Sequence, residues 1–271
     1  MIYVHDKGRL CNNILQYGHL YAWGREHKRE TMSMRFAYKY RYFKIGHTKH
    51  HHFLYYLYAK YGAKCGLIPV VHFDAEGADY SEEETLMLHY RNVVVEGWYA
   101  RWYDLFLKYK RDIISLFMFV PKIRVSMEAK LSGLPAADLR LGIHIRRGDY
   151  QTWHGGRYYF TDEQYINVIR QFLVLQKGKT IQMFICGNDP ELDEEAYRQT
   201  FLEQTVIFPK GNPGEDLFLL SECDYLIGPP STFTLVAAMY RDLPLCWIEN
   251  ADAKLTLSSF AFFDELLKKI K

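Results

Sequence analysis

The sequence carries almost no net charge: 34 Lys and Arg stand against 32 Asp and Glu in 271 residues, leaving +2 with histidine neutral. That balance excludes a nucleic-acid partner held by a global basic field, though not a local basic site. Cysteine is scarce. Cys11, Cys65, Cys186, Cys223 and Cys246 form no CxxC pair and no Cys/His zinc spacing. A disulfide framework and a structural zinc site are therefore excluded, and reduced, mostly buried thiols are expected. No apolar run approaches the ~18 residues that span a bilayer. Met1–Asp6 lacks the basic region and apolar run of a secretory signal, so a cytoplasmic protein is expected. Neither GxxxxGK[ST] nor GxGxxG occurs, which removes the two commonest phosphate loops. What is abundant is apolar and aromatic. Hydrophobic residues reach 49%, enough to exclude disorder, and 22 Tyr, 17 Phe and 5 Trp bring the aromatics to 16%.

Short apolar runs alternate with helical patterns, the rhythm of an α/β protein with largely parallel sheets. Ile2–Val4 reads as a strand, followed by a helix over Asn13–His27. Val93–Val95 reads as another strand, with a helix over Tyr103–Phe117. Past Leu131–Ala137, a linker candidate, the alternation is cleaner. Strands are expected at Leu141–Ile145, Ile181–Ile185, Val206–Phe208, Tyr225–Ile227 and Leu245–Ile248. Helices are expected from Thr161 to Leu175, Pro190 to Phe201, Glu215 to Cys223, Ser231 to Tyr240 and Ser258 to Ile270. The pattern is that of two α/β halves dividing near residue 135, and ligands of such sheets bind outside the carboxyl ends of the strands.

One strand end is unusually charged. His144-Ile145-Arg146-Arg147-Gly148-Asp149-Tyr150 follows Leu141–Ile145 directly. Alternation puts His144 and Arg146 on one face and Ile145 and Arg147 on the other. Arginine presents a planar fork suited to phosphate oxygens, and Gly148 permits a tight turn. An ordinary exposed Arg/Asp turn remains an alternative from the heptapeptide alone. Near the start, Gly8–Asn13 joins the first strand to the first helix, with Asn12 or Asn13 placed to cap it. Late in the chain, Gly228-Pro229-Pro230-Ser231-Thr232 ends a strand and starts a helix. Hydroxyls and free N–H groups there fit a diphosphate as well as a simple cap.

In chain order these segments resemble the alpha-1,2-fucosyltransferases (glycosyltransferase family 11), related to the alpha-1,6-fucosyltransferases. His144–Tyr150 is similar to that family's HxRRGDY motif, and Gly8–Tyr17 to its G-G/R-L-G-N-Q-M-F-Q-Y opening. Glu96–Tyr99 with Trp102-Tyr103 resembles E-G-Y-W/F-Q…Y-F, and Phe184–Glu191 resembles F-S-D-D-x-E. Asp216–Cys223 and Ser231–Thr234 resemble D-x-x-L-M-S-x-C and S-T-F-S-W. The sequence departs from the family at Cys11, Asn13 and Asn188, and at Leu235-Val236 where the family carries tryptophan.

The resemblance implies an α/β, GT-B-like fold: two Rossmann-like domains facing a central cleft. Residues 1–134 would take the acceptor and 135–271 the GDP-sugar, with a terminal helix able to pack back on the first domain. It implies GDP-fucose as donor, inversion at the anomeric carbon and no required metal or cofactor. Arg146 would bind the diphosphate, with Arg147 supporting the loop or a second contact, and Ser231 and Thr232 would approach from the other side. His144, Asp189 and Asp216 are the candidates for guanine, ribose and donor-site order. Asp149 ranks first and His154 second as general base, while Asn12 would position the acceptor hydroxyl, with Trp98 and Tyr99 on the acceptor side. A transferase of the same fold with another linkage or GDP-sugar, or a degenerate nucleotide- or glycan-binding member, stands as the alternative.

The aromatic block between Phe36 and Tyr61 is interleaved with Lys, Arg and His. Tyr38, Tyr40 and Tyr42 alternate with Lys39 and Arg41 as in a half-buried strand. Core packing, a sugar-stacking platform and peripheral attachment to an anionic membrane all fit its composition; RNA binding fits less well. The His47–His52 run reads as an exposed polar turn rather than a metal site.

Overall fold

The computed structural model describes residues 1–187 and 189–270; Asn188 and Lys271 lie outside the described residues. The chain divides into two compact units, Met1–Pro121 and Lys122–Ile270. The first contains β1 (Ile2–His5), α1 (Leu10–Glu26), β2 (Thr31–Ser33), α2 (Phe36–Lys39), α3 (Phe53–Lys64), β3 (Val70–His72), α4 (Ser81–His89), β4 (Val93–Glu96), α5 (Tyr103–Lys108) and α6 (Lys110–Leu116). Its sheet is parallel, in the order β2-β1-β4-β3. The second unit opens with α7 (Pro121–Ser132). It continues through β5 (Leu139–Ile145), α8 (Asp162–Leu175), β6 (Ile181–Gly187), α9 (Glu194–Thr200), β7 (Thr205–Ile207), α10 (Pro213–Ser221), β8 (Tyr225–Gly228), α11 (Thr232–Met239), β9 (Leu245–Trp247) and α12 (Phe263–Leu266). Its sheet is also parallel, in the order β7-β6-β5-β8-β9. The α/β class with two parallel sheets is as expected.

The units divide at Pro121–Lys122 rather than between 134 and 135. The cause is α7, which buries Met127 and Leu131; with Leu134 they line a cavity of about 340 Å³ shared with Phe184 and Leu219 of the second unit. The expected terminal helix is also interrupted. Ala261 exchanges backbone hydrogen bonds with Leu245 at 3.0 Å, an extended residue that confines helix α12 to Phe263–Leu266. That helix packs against α11 of its own unit.

In the first unit, the first helix starts at Leu10, not at Asn13, so neither Asn12 nor Asn13 caps it. Tyr38, Tyr40 and Tyr42 do not form a strand. A short helix turns Tyr40 fully inward against Phe117, ring centroids 5.1 Å apart, while Tyr38 stays 53% exposed. The histidine run is only partly a surface turn. His51 is buried; its Nε2 accepts from the Ser33 amide at 3.0 Å and its Nδ1 lies 2.7 Å from Thr48 Oγ1.

Asp6, just past β1, is the buried acid of this unit. It accepts hydrogen bonds from Ser33 Oγ at 2.9 Å and from the Tyr40 hydroxyl. Burial pushes its carboxyl up to about 6, against the pull of those two donors and of Arg35. Its contribution to stability is full below the unfolded value near 4 and is lost as pH rises through about 6. His51, pushed down to about 4 by burial and then by His50, works in the opposite direction over the same window. Asp6→Asn is expected to stabilise the protein at pH 7 by about 1–3 kcal/mol and to leave it unchanged at pH 4. Thermal melts across that range check this; an Asn variant less stable at pH 7 contradicts it.

Candidate active site

In the second unit the winding reverses between β5 and β8, and ligands of such sheets bind outside the carboxyl ends of the strands at that point. The two segments that leave there are His144–Tyr150 from β5 and Gly228–Ser231 from β8. The strands lie close: a Cβ on Gly228 would stand 2.9 Å from the His144 carbonyl, so only glycine fits. The His144 ring stacks on Phe233 of α11 with centroids 5.0 Å apart and 25° between planes.

The two arginines diverge as strand alternation requires. Arg147 follows Ile145 into the α8 side of the sheet and is buried. Its Nε donates to the Phe160 carbonyl at 2.9 Å, Nη2 to Asp162 Oδ1 at 2.6 Å, and Nη1 to Asp189 Oδ2 at 2.9 Å and Asp162 Oδ2 at 3.2 Å. Burial opposes its charge, but the hydrogen bonds it donates to Asp162 and Asp189 outweigh that and raise the guanidinium above its ordinary pKa. Arg147 is thus a fully engaged strut beneath the loop. Arg146 turns to the other face. Its guanidinium donates in a fork to Asp149, Nη2 to Oδ2 at 2.8 Å and Nε to Oδ1 at 3.3 Å, and lies 4.7 Å from the Tyr150 ring centre. Tyr150, itself buried, donates its hydroxyl to the Pro230 carbonyl at 2.5 Å. Arg146 is therefore seated on a ring that is bolted to the β8 loop.

Across that bolt stands the start of α11. Ser231 caps it, its Oγ accepting from the Phe233 amide at 3.0 Å, and Thr232 is the first helical residue. The Ser231 carbonyl accepts from the Thr234 hydroxyl at 3.1 Å, and Thr234 Oγ1 in turn accepts from Trp247 Nε1 at 3.2 Å. A guanidinium and a rigid helix N-terminus flanking one strand gap can hold an anion with two centres of charge.

Of the expected donor-site acids, Asp189 places Oδ2 on Arg147 and Oδ1 on the Glu191 amide at 3.0 Å, so it orders the loop. Asp216, in the first turn of α10, differs. Its Oδ1 is buried without a hydrogen-bond partner among the described residues. Burial and then the Glu215 charge push its carboxyl up to about 6. Asn188, the departure beside Asp189, lies outside the described residues.

Asp149 is half exposed, with both oxygens on Arg146. His154 is exposed in a left-handed turn, φ +48°, continued by Gly155 and Gly156 at +66° and +79°. A histidine held at positive φ is uncommon, and such backbone gathers at functional turns.

In the first unit, the residues expected on the acceptor side lie at the carboxyl edge of its own sheet. Asn12 lies against Gly8, where a Cβ would stand 2.9 Å from Asn12 Nδ2. Asn13 donates its amide to the Gly8 and Arg9 carbonyls at 3.1 and 2.8 Å, and Gln16 donates to Lys7. Cys11 is buried. Trp98 and Tyr99 follow β4. One face of Trp98 is covered by the Arg101 guanidinium, 3.9 Å from the ring centre. Arg101 buries Nη1 and Nη2 without a partner among the described residues, and burial lowers it to about 10.

Tyr150 as a bolt, Phe233 as the His144 stack, and Asp162 with Tyr197 on Arg147 are contributions that sequence reading misses; the Tyr197 hydroxyl donates to Asp162 Oδ1 at 2.9 Å. Only one had a signal: Arg147 shares a face with the core residue Ile145, which demands an acidic partner. Thr161-Asp162-Glu163 reads as a helix start and hides Asp162 inside it.

No protein-family model matches the sequence, and no curated protein matches it. Solved structures do. An arginine-to-lysine variant of Arabidopsis thaliana FUT1 in complex with GDP matches with a TM-score of 0.63 at 13% identity, over 96% of this chain and 73% of that one. POFUT1 in complex with GDP-fucose gives 0.61 at 10% identity, over 89% and 94%. The NodZ alpha-1,6-fucosyltransferase soaked with GDP-fucose gives 0.59 at 13% identity, over 96% and 98%. The fold is the one these fucosyltransferases share. Identity this low carries the GT-B-like architecture of two parallel-sheet units and leaves the substrate to the chemistry of the site.

Proposed function

We propose that the protein is an inverting, metal-independent glycosyltransferase that moves fucose from GDP-fucose to a glycan hydroxyl, alpha-1,2 to galactose. The observation that carries this reading is Arg146, seated on Tyr150 beside the N-terminus of α11 at the switch point of a GT-B-like fold. The three solved structures named above hold GDP or GDP-fucose on that fold. As the sugar leaves, the bond from its anomeric carbon to the diphosphate oxygen breaks and negative charge grows on the β-phosphate. The Arg146 fork and the Ser231–Thr232 N–H groups stabilise it. Asp149, or His154 in its place, takes the acceptor hydroxyl proton as attack comes from the opposite face. Asn12 positions that hydroxyl, and Trp98 and Tyr99 line the acceptor side. Asp216 accepts from the guanine N–H donors, and His144 with Phe233 orders the base site. The enzyme works in the cytoplasm, where its thiols stay reduced.

The test has two stages. Saturating GDP is expected to raise the melting temperature by about 5–10 °C, with no comparable shift for UDP or ADP. Because guanine needs an ionised Asp216, GDP affinity is expected to fall about tenfold per pH unit below about 6. Incubation with GDP-fucose and a panel of galactosides, read by mass in excess chelator, then reports transfer. The panel includes 6-linked acceptors, because NodZ is an alpha-1,6-fucosyltransferase whose structure is matched over 98% of its length. Binding without any product assigns a non-catalytic role; a strict Mg²⁺ or Mn²⁺ requirement overturns the mechanism.

A further inference from the structure

Helix α3 is inside out. Along Phe53–Lys64 only Ala59 and Gly62 are buried, and a Cβ on Gly62 would strike Ile68 at 2.6 Å, so the helix rests on its smallest residues. Its large apolar residues face solvent: Phe53 is 58% exposed, Leu54 68%, Tyr58 51% and Tyr61 54%, and Leu67 beyond its end 82%. A surface helix ordinarily buries that face. Here a cation lies over two of the rings, with Lys60 Nζ 5.6 Å from the Tyr56 ring centre and 5.8 Å from that of Tyr61.

The stretch of sequence that carries the helix is charged with one sign. Between Glu30 and Asp74 the sequence contains no acidic residue and seven Lys or Arg. Beside α3 an open groove of about 1000 Å³ is walled by Leu54, Tyr55 and Tyr58 and by Lys28, Arg29 and Arg91. The one acid in it, Glu30, lies 3.0 Å from His50 Nε2. The Arg29 guanidinium donates to the carbonyls of Met87, Leu88, Tyr90 and Arg91. The groove opens at the amino ends of β1 and β4, so it lies across that sheet from the Asn12 and Trp98 loops.

We propose that α3 and the groove beside it form a docking surface for an anionic phospholipid bilayer. Exposed aromatics at helical spacing insert at the headgroup level, and the lysines and arginines meet the phosphates. Amphiphilic aromatics set among mainly positive charge, with Glu30 the one acid lining the groove, fit that occupant better than a protein face. The carboxyl edge of the sheet stays free.

The full chain is co-sedimented with vesicles of phosphatidylcholine alone and with about one third phosphatidylglycerol. Binding to the anionic vesicles is expected, weakening as salt shortens the Debye length. Replacing Phe53, Tyr58 and Tyr61 together by Ser is expected to lower the bound fraction about tenfold or more. Lys60→Glu with Lys64→Glu is expected to abolish the preference for anionic vesicles. All five side chains are exposed, so melting temperature and the GDP shift should be unchanged, which keeps this result separate from the donor reading. Equal binding to both vesicles, or wild-type binding by the Ser variant, overturns the proposal. So does a concentration-dependent dimer that the Ser variant loses, or retention on single-stranded RNA without vesicle binding.

Discussion

Arg147→Met is expected to destabilise the second unit by about 3–5 kcal/mol, a fall of about 6–20 °C in its melting transition. Removing the guanidinium leaves Asp162 and Asp189, only 22% and 12% exposed, without the cation between them and with only the Tyr197 hydroxyl and the Glu191 amide still donating to them. It also strips the donor from the Phe160 carbonyl. Most of the effect is the cost of stranded carboxylates rather than the worth of the ion pairs, because a buried pair scarcely outweighs its own desolvation. Two companion variants separate these terms. Arg147→Lys keeps the charge but not the fork and should fall between. Arg147→Met with Asp162→Asn and Asp189→Asn should recover much of the loss. Calorimetry on the three variants checks the account, and a single Met variant as stable as wild type contradicts it.

Arg146→Ala is expected to do the reverse: stability within about 1 kcal/mol of wild type, and fucose transfer reduced at least about 10²–10³-fold. In the pair it makes with Asp149 the carboxylate is 43% exposed and the guanidinium 16%, and so partly solvated an i,i+3 pair adds little to folding. Its value lies in placement, since the Tyr150 ring and the Tyr150–Pro230 hydrogen bond hold the fork beside the α11 terminus before any ligand arrives. Arg146→Lys should rescue little, because an ammonium cannot span two phosphate oxygens. Near-normal turnover in the Lys variant sinks the assignment. Asp149→Asn provides a cross-check: losing a carboxylate next to the diphosphate should tighten GDP binding while slowing transfer. Both predictions rest on adjacent residues of identical chemistry whose expected effects are opposite.

Much of this was legible before the structure. The strands of the second unit are short apolar runs bounded by turn residues, and its helices begin at Thr161 and Ser231, the caps the sequence marks. The charged end of β5 stood out because a buried strand has no use for two arginines unless something receives them. The first unit was less legible. Tyr38, Tyr40 and Tyr42 alternate like a strand, yet Tyr40 turns inward to reach Asp6 and Phe117, contacts from distant parts of the chain that override local period. His51 reads as polar surface until Ser33 of β2 supplies the amide that makes it a core residue.

Local pattern by itself determined the α/β class, the cleaner second half, and the place of one basic motif and one helix start at strand ends. Those features depend on neighbours a few residues apart, and chain periodicity encodes them directly. The tertiary structure decided which arginine is a buried strut and which turns to the other face, over the Tyr150 ring and paired with Asp149. That depends on Asp162, Asp189, Tyr150 and Pro230, which converge only when β5, β6 and β8 pair. It also decided that the aromatic excess divides into a buried set around Phe117 and an exposed set on α3. Composition cannot distinguish a ring packed in a core from one held out to solvent; the packing of small Ala59 and Gly62 against the unit does.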